Sequence, residues 1–203
     1  MTSGRGVITD GVWIKDGCHT LSIEGLYDYQ SHSFINGGMM KAYQNGTIDL
    51  SGSDPNCQEC LFQFWKLRNP HDQSHRNIYC IQSYAYKHQY LYWDDVHKPW
   101  TVHLLKVDDA HEKDKALRIR WVLVMDPIDQ RKKLLQAWDE IHPHASPKYL
   151  VFNVVSEEVK LESDRDNSST FLKITADLLT CRDCAEKNAA IKLTDNDDID
   201  TDK

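Results

Sequence analysis

Two Cys-x-x-Cys motifs are the sharpest chemical feature of the sequence. Cys57 and Cys60 form the first pair, and Cys181 and Cys184 form the second. Two such pairs supply the four thiolates of a tetrahedral structural zinc, because a turn of this spacing directs both of its sulfurs at one ion. One hypothesis is therefore a structural zinc that ties the C-terminal segment to the rest of the chain. Unrelated thiols or local disulfides are the alternative.

A second group of candidate residues combines aromatic rings with carboxylates. Tyr92, Trp93, Asp94 and Asp95 are consecutive, and Trp100 follows shortly after them. A carboxylate beside an exposed ring suits a sugar, whose hydroxyls donate and accept hydrogen bonds around an apolar C–H face. The alternative is a hairpin tip that surrounds a packed tryptophan. Two or more solvent-facing rings on one hairpin favour glycan binding, whereas burial of all six tryptophans favours contact with a protein through loops.

The ten histidines do not form a recognisable catalytic or metal-binding pattern. His71 and His75 lie in a segment rich in turn residues, and so do His142 and His144. Adjacent carboxylates such as Asp94–Asp95 point to opposite faces of a strand, which does not suit a pair of acids acting on one bond. No nucleophile elbow, zinc-protease helix, phosphate loop or dinucleotide fingerprint occurs. The sequence therefore predicts no catalytic residues and a protein that is not an enzyme.

The elements that must position these residues are predicted to be strands. Runs with helical apolar spacing are scarce before residue 176, whereas short β-rich runs separated by clusters of Gly, Pro, Asn, Asp and His extend from Val12 to Thr175. Thirteen such runs can be counted, and many short strands at turn-spaced intervals are typical of a barrel or a sandwich.

An internal repeat narrows the choice of fold. Trp13, Trp65 and Trp121 each lie in an apolar run and are 52 and 56 residues apart. A second marker, a β-branched residue two positions before a leucine, recurs 54 and 57 residues apart at Ile48–Leu50, Val102–Leu104 and Val159–Leu161. Two markers that keep one period indicate three copies of one four-stranded unit.

Three units of this kind predict an all-β fold, the β-trefoil, in which six strands close a barrel and three hairpins cap it. One unit can bury its apolar face only against the other two, and closure removes exposed strand edges. A β-sandwich of the immunoglobulin type is the rival, but it needs no threefold period and places a tryptophan between paired cysteines. The spacing leaves open whether Val12–Lys15 or Ser169–Thr175 closes the barrel.

One repeat also carries a family motif. Gln63-Phe64-Trp65 resembles the Gln-x-Trp signature of ricin B-type lectins, while the third unit keeps Trp121 but has Ile119 at the glutamine position. The resemblance implies that the glutamine and tryptophan are structural and that an acid and an aromatic on a hairpin hold the sugar. Interleukin-one-type cytokines, which are often acidic, and fungal trefoil inhibitors of cysteine proteases look similar at fold level and bind proteins instead.

Charge disfavours several classes of partner. The net charge is −7, and the last ten residues contribute −4 of it through five Asp and one Lys. The body, at −7 − (−4) = −3, lacks the basic stripe that nucleic acids, heparin-like glycans or anionic lipids require. Arg118, Arg120 and Arg131–Lys133 are expected to form only a solvated local basic patch at a strand end. No apolar run reaches the roughly 18 residues of a membrane helix.

The sequence is expected to fold as one domain over residues 1–180, with residues 181–203 as a short extension that ends in an acidic disordered tail. The N-terminus shows no signal-peptide pattern, which favours a cytoplasmic or unconventionally secreted protein. All six cysteines are then expected to be reduced, with Cys18 and Cys80 as small buried apolar residues. The leading hypothesis is a soluble binding module for a glycan or glycoprotein; the alternative is a trefoil that binds a protein receptor or a protease.

Overall fold

The structure is a computed structural model. It describes residues 12–22, 26–28, 33–35, 38–54, 56–68, 77–96, 100–107, 113–125, 132–153, 158–163, 169–171, 173–175 and 192–193.

Antiparallel strands dominate the described residues, so the chain is all-β, as the sequence predicts. A short α-helix, Lys113–Leu117 (α1), and a single 3-10 turn, Gln58–Cys60 (η1), lie between strands. The strands are Val12–His19 (β1), Leu26–Asp28 (β2), Ser33–Ile35 (β3), Met39–Ala42 (β4), Ile48–Gly52 (β5), Phe62–Arg68 (β6), Ile78–Ser83 (β7), Gln89–Asp94 (β8), Thr101–Lys106 (β9), Arg120–Met125 (β10), Lys132–Ala137 (β11), Tyr149–Asn153 (β12), Glu158–Glu162 (β13), Ser169–Phe171 (β14), Lys173–Thr175 (β15) and Lys192–Leu193 (β16).

Seven of these strands pair in one continuous row that forms a partial ring. Its order is β16, β1, β6, β7, β10, β11 and β15. The strand β7 shares one of its edges between two neighbours, because Ile78, Tyr79 and Cys80 pair with β10 while Gln82 pairs with β8. The strand β11 divides its edge in the same way between β15 and β12.

Three hairpins, β4–β5, β8–β9 and β12–β13, extend from this row. Each begins opposite the end of a row strand or, in the first hairpin, opposite a residue just after it, at Ser22↔Met39, Gln82↔Tyr90 and Gln136↔Tyr149. The same register therefore occurs three times. Residues in matching positions are buried together in the largest core cluster, among them Leu21, Ile81 and Leu135 on the row and Met40, Leu91 and Leu150 on the hairpins.

The two sequence markers of the repeat fare differently. The leucine marker falls on the second strand of each hairpin, where Leu104 faces Leu91 and Leu161 faces Leu150. The prediction that the three tryptophans occupy equivalent positions is wrong. Trp13 lies on β1, which precedes a hairpin as β7 and β11 do, whereas Trp65 and Trp121 lie on β6 and β10.

Trp65 and Trp121 lie on the matching strands β6 and β10 but are not equivalent either. Gln63 faces Gln82 on β7, whereas Val122 faces the matching Gln136 on β11. In this alignment Trp121 is equivalent to Phe62 rather than to Trp65. Trp121 and Trp65 accordingly belong to different core clusters.

Both candidate closing segments are used. Val12–Lys15 is part of β1, whose neighbour on the row is β6. Ser169–Thr175 is split into β14, which pairs with β12, and β15, which pairs with β11. In each of the pairs β1–β6, β7–β10 and β11–β15, the strand that precedes a hairpin pairs with a strand that comes after that hairpin in the chain. The other edge of β1 pairs with β16.

Among the described residues, no helix is long and apolar enough to cross a membrane. The predicted acidic tail and the boundary at residue 180 lie outside the described residues, apart from β16.

The first hairpin packs against β9 through a glycine. Gly46, in the turn between β4 and β5, has φ +89, and a Cβ there would lie 2.6 Å from the carbonyl oxygen of Leu104. The carbonyl of Gly46 accepts a hydrogen bond from the amide of Leu104 at 2.8 Å. Only glycine combines this backbone conformation with so close an approach.

We expect Gly46→Ala to lower the free energy of unfolding by roughly 2 kcal/mol, because the left-handed conformation is strained for alanine and the added methyl group meets backbone. Urea unfolding followed by tryptophan fluorescence measures the change. Gln44→Ala in the same turn is the control, since the side chain of Gln44 is exposed and should stay within about 0.5 kcal/mol of the wild type. Equal stability of the two variants would contradict the role given to Gly46.

Candidate functional site

The strand β8 divides the predicted ligand-binding residues between its two faces. Tyr92 is buried in a second core cluster, which also contains Trp13 and Trp65, and packs against His103, with ring centroids 5.1 Å apart. Trp93 is fully buried in the largest core cluster. Successive side chains of a strand point to opposite faces, so Tyr92 and Trp93 do not belong to one surface. Asp94 accepts a hydrogen bond from the amide of Val96 and lies at the end of β8.

The structure does bring Trp93, Asp95 and Trp100 together. The indole rings of Trp93 and Trp100 stack with centroids 5.5 Å apart and planes at 11°. The Nζ atom of Lys148 lies 5.4 Å from the centroid of Trp100, and the guanidinium of Arg118 lies 5.8 Å from that of Trp93. These cation–π contacts cover ring surface that a sugar would otherwise occupy.

Tryptophan exposure bears directly on the nature of the ligand. All six tryptophans are described; four are buried, and Trp100 and Trp138 are half-buried. No hairpin therefore presents two solvent-facing indole rings. Of the described residues, the large hydrophobic side chains that are well exposed are Val96, at 74%, and Met125, at 52%.

Asp95 is held by a two-point ion pair. Arg118 Nε donates to Asp95 Oδ1 at 2.8 Å, and Arg118 Nη2 donates to Asp95 Oδ2 at 3.2 Å. Burial would raise the pKa of Asp95, but the hydrogen bonds and the charge of Arg118 outweigh it and hold this pKa below its ordinary value. The ion pair in turn raises the pKa of Arg118. A bidentate arginine–carboxylate pair fixes the geometry of both side chains.

His142 connects this ion pair to a second loop. Its Nε2 atom lies 3.4 Å from Asp95 Oδ2, and its Nδ1 atom lies 3.0 Å from Asp139 Oδ2. Asp139 Oδ1 also accepts the backbone amides of Ile141 and His142, both at 2.9 Å. The loop after β11 is thereby attached to the residue that follows β8. We refer to Asp95, Arg118, Asp139 and His142 as the loop clamp.

Further bonds hold the same loop at its base. The amide of Trp138 donates to the carbonyl of Arg120 at 3.0 Å, and Trp138 Nε1 donates to Glu140 Oε1 at 2.7 Å. Arg120 Nη1 lies 3.5 Å from Glu140 Oε2, and Arg120 is only 6% exposed. The predicted solvated basic patch is therefore wrong for Arg120, which is buried, and for Arg118, which Asp95 neutralises.

The clamp residues Arg118, Asp139 and His142 are functional candidates that the sequence did not indicate as such. Asp95 and Arg118 are 23 positions apart, and His142 lies on a different hairpin connection. Only the shared register of β8, β10 and β11 brings them together, as in the hydrogen bond from the Trp93 amide to the Arg118 carbonyl at 3.0 Å. No local motif encodes such a contact.

The clamp geometry does not suit acid–base catalysis. Both ring nitrogens of His142 face carboxylate oxygens, so neither is directed at a substrate proton or at a nucleophile. A general base must reach the proton that it removes within hydrogen-bonding distance. Among the described residues, no group of three or more His, Cys, Asp or Glu side chains is arranged to hold a metal ion.

The Gln-x-Trp motif has a structural role. Gln63 is buried, and its Nε2 atom donates to the carbonyls of Gly17 at 3.0 Å and Phe64 at 2.9 Å. Gly17 lies in the irregular part of β1, where the register with β6 shifts. Trp65 Nε1 donates to Gln82 Oε1 at 2.9 Å. Both side chains therefore hold neighbouring strands together and contact the core.

The cysteines differ in state. Cys57 is half-buried, and Cys60 and Cys80 are buried; all three are free thiols. Cys18 is fully buried but disulfide-bonded, so the expectation of six reduced thiols is wrong for this residue. Cys57 and Cys60 share the η1 turn, as the motif predicts. Cys181 and Cys184 lie outside the described residues, and zinc binding by the four cysteines stays a prediction.

No protein-family model matches the chain, and no curated protein sequence matches it. Its function must therefore be inferred from the chemistry of its own residues.

The loop clamp predicts a pH-dependent contribution to stability. Because the pKa of Asp95 is lower in the folded protein than in the unfolded chain, its contribution is complete above the unfolded pKa of about 3.9 and is lost as the pH falls through the folded pKa. We expect Asp95→Asn to lower the free energy of unfolding by about 1–3 kcal/mol at about pH 7 and by much less at about pH 2.

Urea titrations at both pH values measure this difference. Glu158→Gln is the matched control, because Glu158 is exposed at the start of β13, away from the clamp residues. A penalty for Asp95→Asn that is the same at both pH values would show that the carboxylate charge is not what holds the clamp.

Proposed function

We propose that the protein is a non-catalytic binding module with β-trefoil architecture. The support for the architecture is the threefold register of row strands and hairpins, with β15 and β16 sharing the sixth position of the barrel. The matching leucines buried in one cluster add to it. A trefoil presents loops on a rigid barrel, which is the usual way in which such scaffolds recognise partners.

We further propose that the ligand is a protein, such as a receptor or a protease. The observation that carries this proposal is the loop clamp, which holds the loop between β8 and β9 against the loop between β11 and β12. Rigid loops bind with little loss of conformational entropy. Val96 follows the clamped Asp95 directly and is 74% exposed, while His142 keeps 40% of its side chain accessible. An exposed aliphatic group beside fixed charged groups suits a protein surface better than a sugar.

A charge placed at Val96 tests the proposal. The partner is first captured by the immobilised wild-type protein and then purified. We expect Val96→Glu to weaken its binding by at least about 10-fold, because an apolar contact is replaced by a desolvated charge. Biolayer interferometry measures the affinity.

Met125→Glu is the matched control, since Met125 is also exposed but lies at the far end of β10, roughly 17 Å along the strand from Arg120. Equal loss of affinity in both variants, or binding that Val96→Glu leaves intact, would place the interface elsewhere.

Glycan binding is the second candidate, and one observation favours it. Trp100 is half-buried rather than buried and lies against His142, with ring centroids 5.5 Å apart, and near Lys148. An indole edge beside polar side chains can still bind a sugar if the Lys148 side chain moves off the ring.

If this second candidate is correct, a glycan array gives saturable binding that Trp100→Ala abolishes and Trp100→Phe largely keeps, because phenylalanine retains a ring for stacking. Circular dichroism confirms that both variants fold. A blank array with the wild-type protein contradicts glycan binding and leaves the protein ligand as the candidate.

A further inference from the structure

Cys57 and Cys60 lie in a turn whose geometry suits a disulfide. The amide of Cys60 donates to the carbonyl of Cys57 at 3.0 Å, which closes the turn and keeps the two Cα atoms within the roughly 7 Å that a β-turn allows. This separation lies within the Cα distance that a disulfide requires. The thiol of Cys60 is already in hydrogen-bonding contact with that of Cys57, and both cysteines are free of a disulfide.

The two thiols differ in access in the way that an exchange reaction requires. Cys57 is half-buried and reachable from solvent, whereas Cys60 is 1% exposed. The sulfur of Cys60 is held against Gly52, where a Cβ atom would lie only 2.6 Å from it. Cys57 is therefore placed to meet an external reagent, and Cys60 is placed to react only with Cys57.

We propose that Cys57 and Cys60 form a redox-active dithiol whose substrates are small disulfides of the glutathione type. The Cys57 thiolate attacks one sulfur of the disulfide, whose S–S bond breaks and releases one thiolate. Cys60 loses its proton to solvent and attacks the Cys57 sulfur of the mixed disulfide, which expels the second thiolate. Two protein thiols are oxidised to one disulfide, and the external disulfide is reduced to two thiols.

Two charged side chains lie near the motif. Glu59 accepts a hydrogen bond from Cys57 Sγ, with Sγ and Oε2 2.8 Å apart, and this bond holds the pKa of Glu59 below its ordinary value. The positive charge of Lys41 favours the thiolate of Cys60. Burial, followed by the neighbouring Cys57, raises the pKa of Cys60 to about 12, which makes Cys60 a slow nucleophile that depends on its closeness to the Cys57 sulfur. The motif is therefore expected to be a slow dithiol.

The test uses the purified full chain in buffers of oxidised and reduced glutathione, quenched with acid, alkylated and digested with trypsin. The peptide from Ala42 to Lys66 contains Cys57 and Cys60 and no other cysteine. We expect it to lose the mass of two hydrogen atoms, to resist alkylation, and to regain both thiols in dithiothreitol. The peptide that contains the buried Cys80 should stay a free thiol and serves as the internal control.

Variants assign the roles of the two cysteines and of Glu59. Cys60→Ser should trap glutathione on Cys57, whereas Cys57→Ser should abolish reaction at both positions. Glu59→Gln should speed the oxidation several-fold, because the Cys57 thiol then no longer donates a hydrogen bond to a charged carboxylate. If Cys60→Ser fails to fold, the mass of the wild-type peptide still decides.

Three results would overturn the proposal. The first is a wild-type peptide that stays reduced when the glutathione couple is fully oxidised. The second is stable glutathione on Cys57 while Cys60 stays a thiol. The third is stoichiometric zinc in the purified protein that protects both thiols, since the pair would then be a metal ligand. All three outcomes are independent of whether the loops bind a protein or a glycan.

Discussion

The constraint on which the fold depends is that no unit of this chain can bury its apolar face alone. Leu21, Ile81 and Leu135 occupy matching row positions and share one cluster, and each is completely buried. A strand such as β7, which divides one edge between β8 and β10, shows how the units are joined through backbone bonds as well as through the core. The units are therefore expected to form together rather than independently.

The clamped loops depend on that same arrangement. The clamp forms only because the end of β8, the start of β10 and the end of β11 lie side by side, which brings an aspartate, an arginine and a histidine from distant parts of the chain into contact. Beneath it, Trp93 and Trp100 fill the space with stacked rings and contribute their area to packing rather than to a ligand. The stacked rings therefore form a rigid base, and the charged clamp residues lie above it, nearer to the solvent. The cysteine turn is separate from this surface and has its own local chemistry.

The tryptophans illustrate why composition and spacing give an incomplete account of such a site. Aromatic residues near carboxylates are as typical of a filled core as of a sugar platform, and the sequence pattern is the same in both cases. In β8 the alternation of the strand sent Tyr92 and Trp93 into two different clusters. Trp13, Trp65 and Trp121 likewise recur at nearly equal spacing without occupying equivalent positions, because large buried residues occur on many strands of the row.

The amino-acid sequence by itself determined the all-β class, the threefold period, the position of the leucine marker on the second strand of each hairpin and the turn that joins Cys57 to Cys60. All of these follow from alternation, turn residues and short spacing, which act between neighbours along the chain. The tertiary structure alone decided that β15 pairs with β11, that Arg118 binds Asp95, that His142 lies between two carboxylates and that Trp93 is out of the reach of a ligand. These depend on strand register and burial between residues far apart in sequence, which no local pattern encodes.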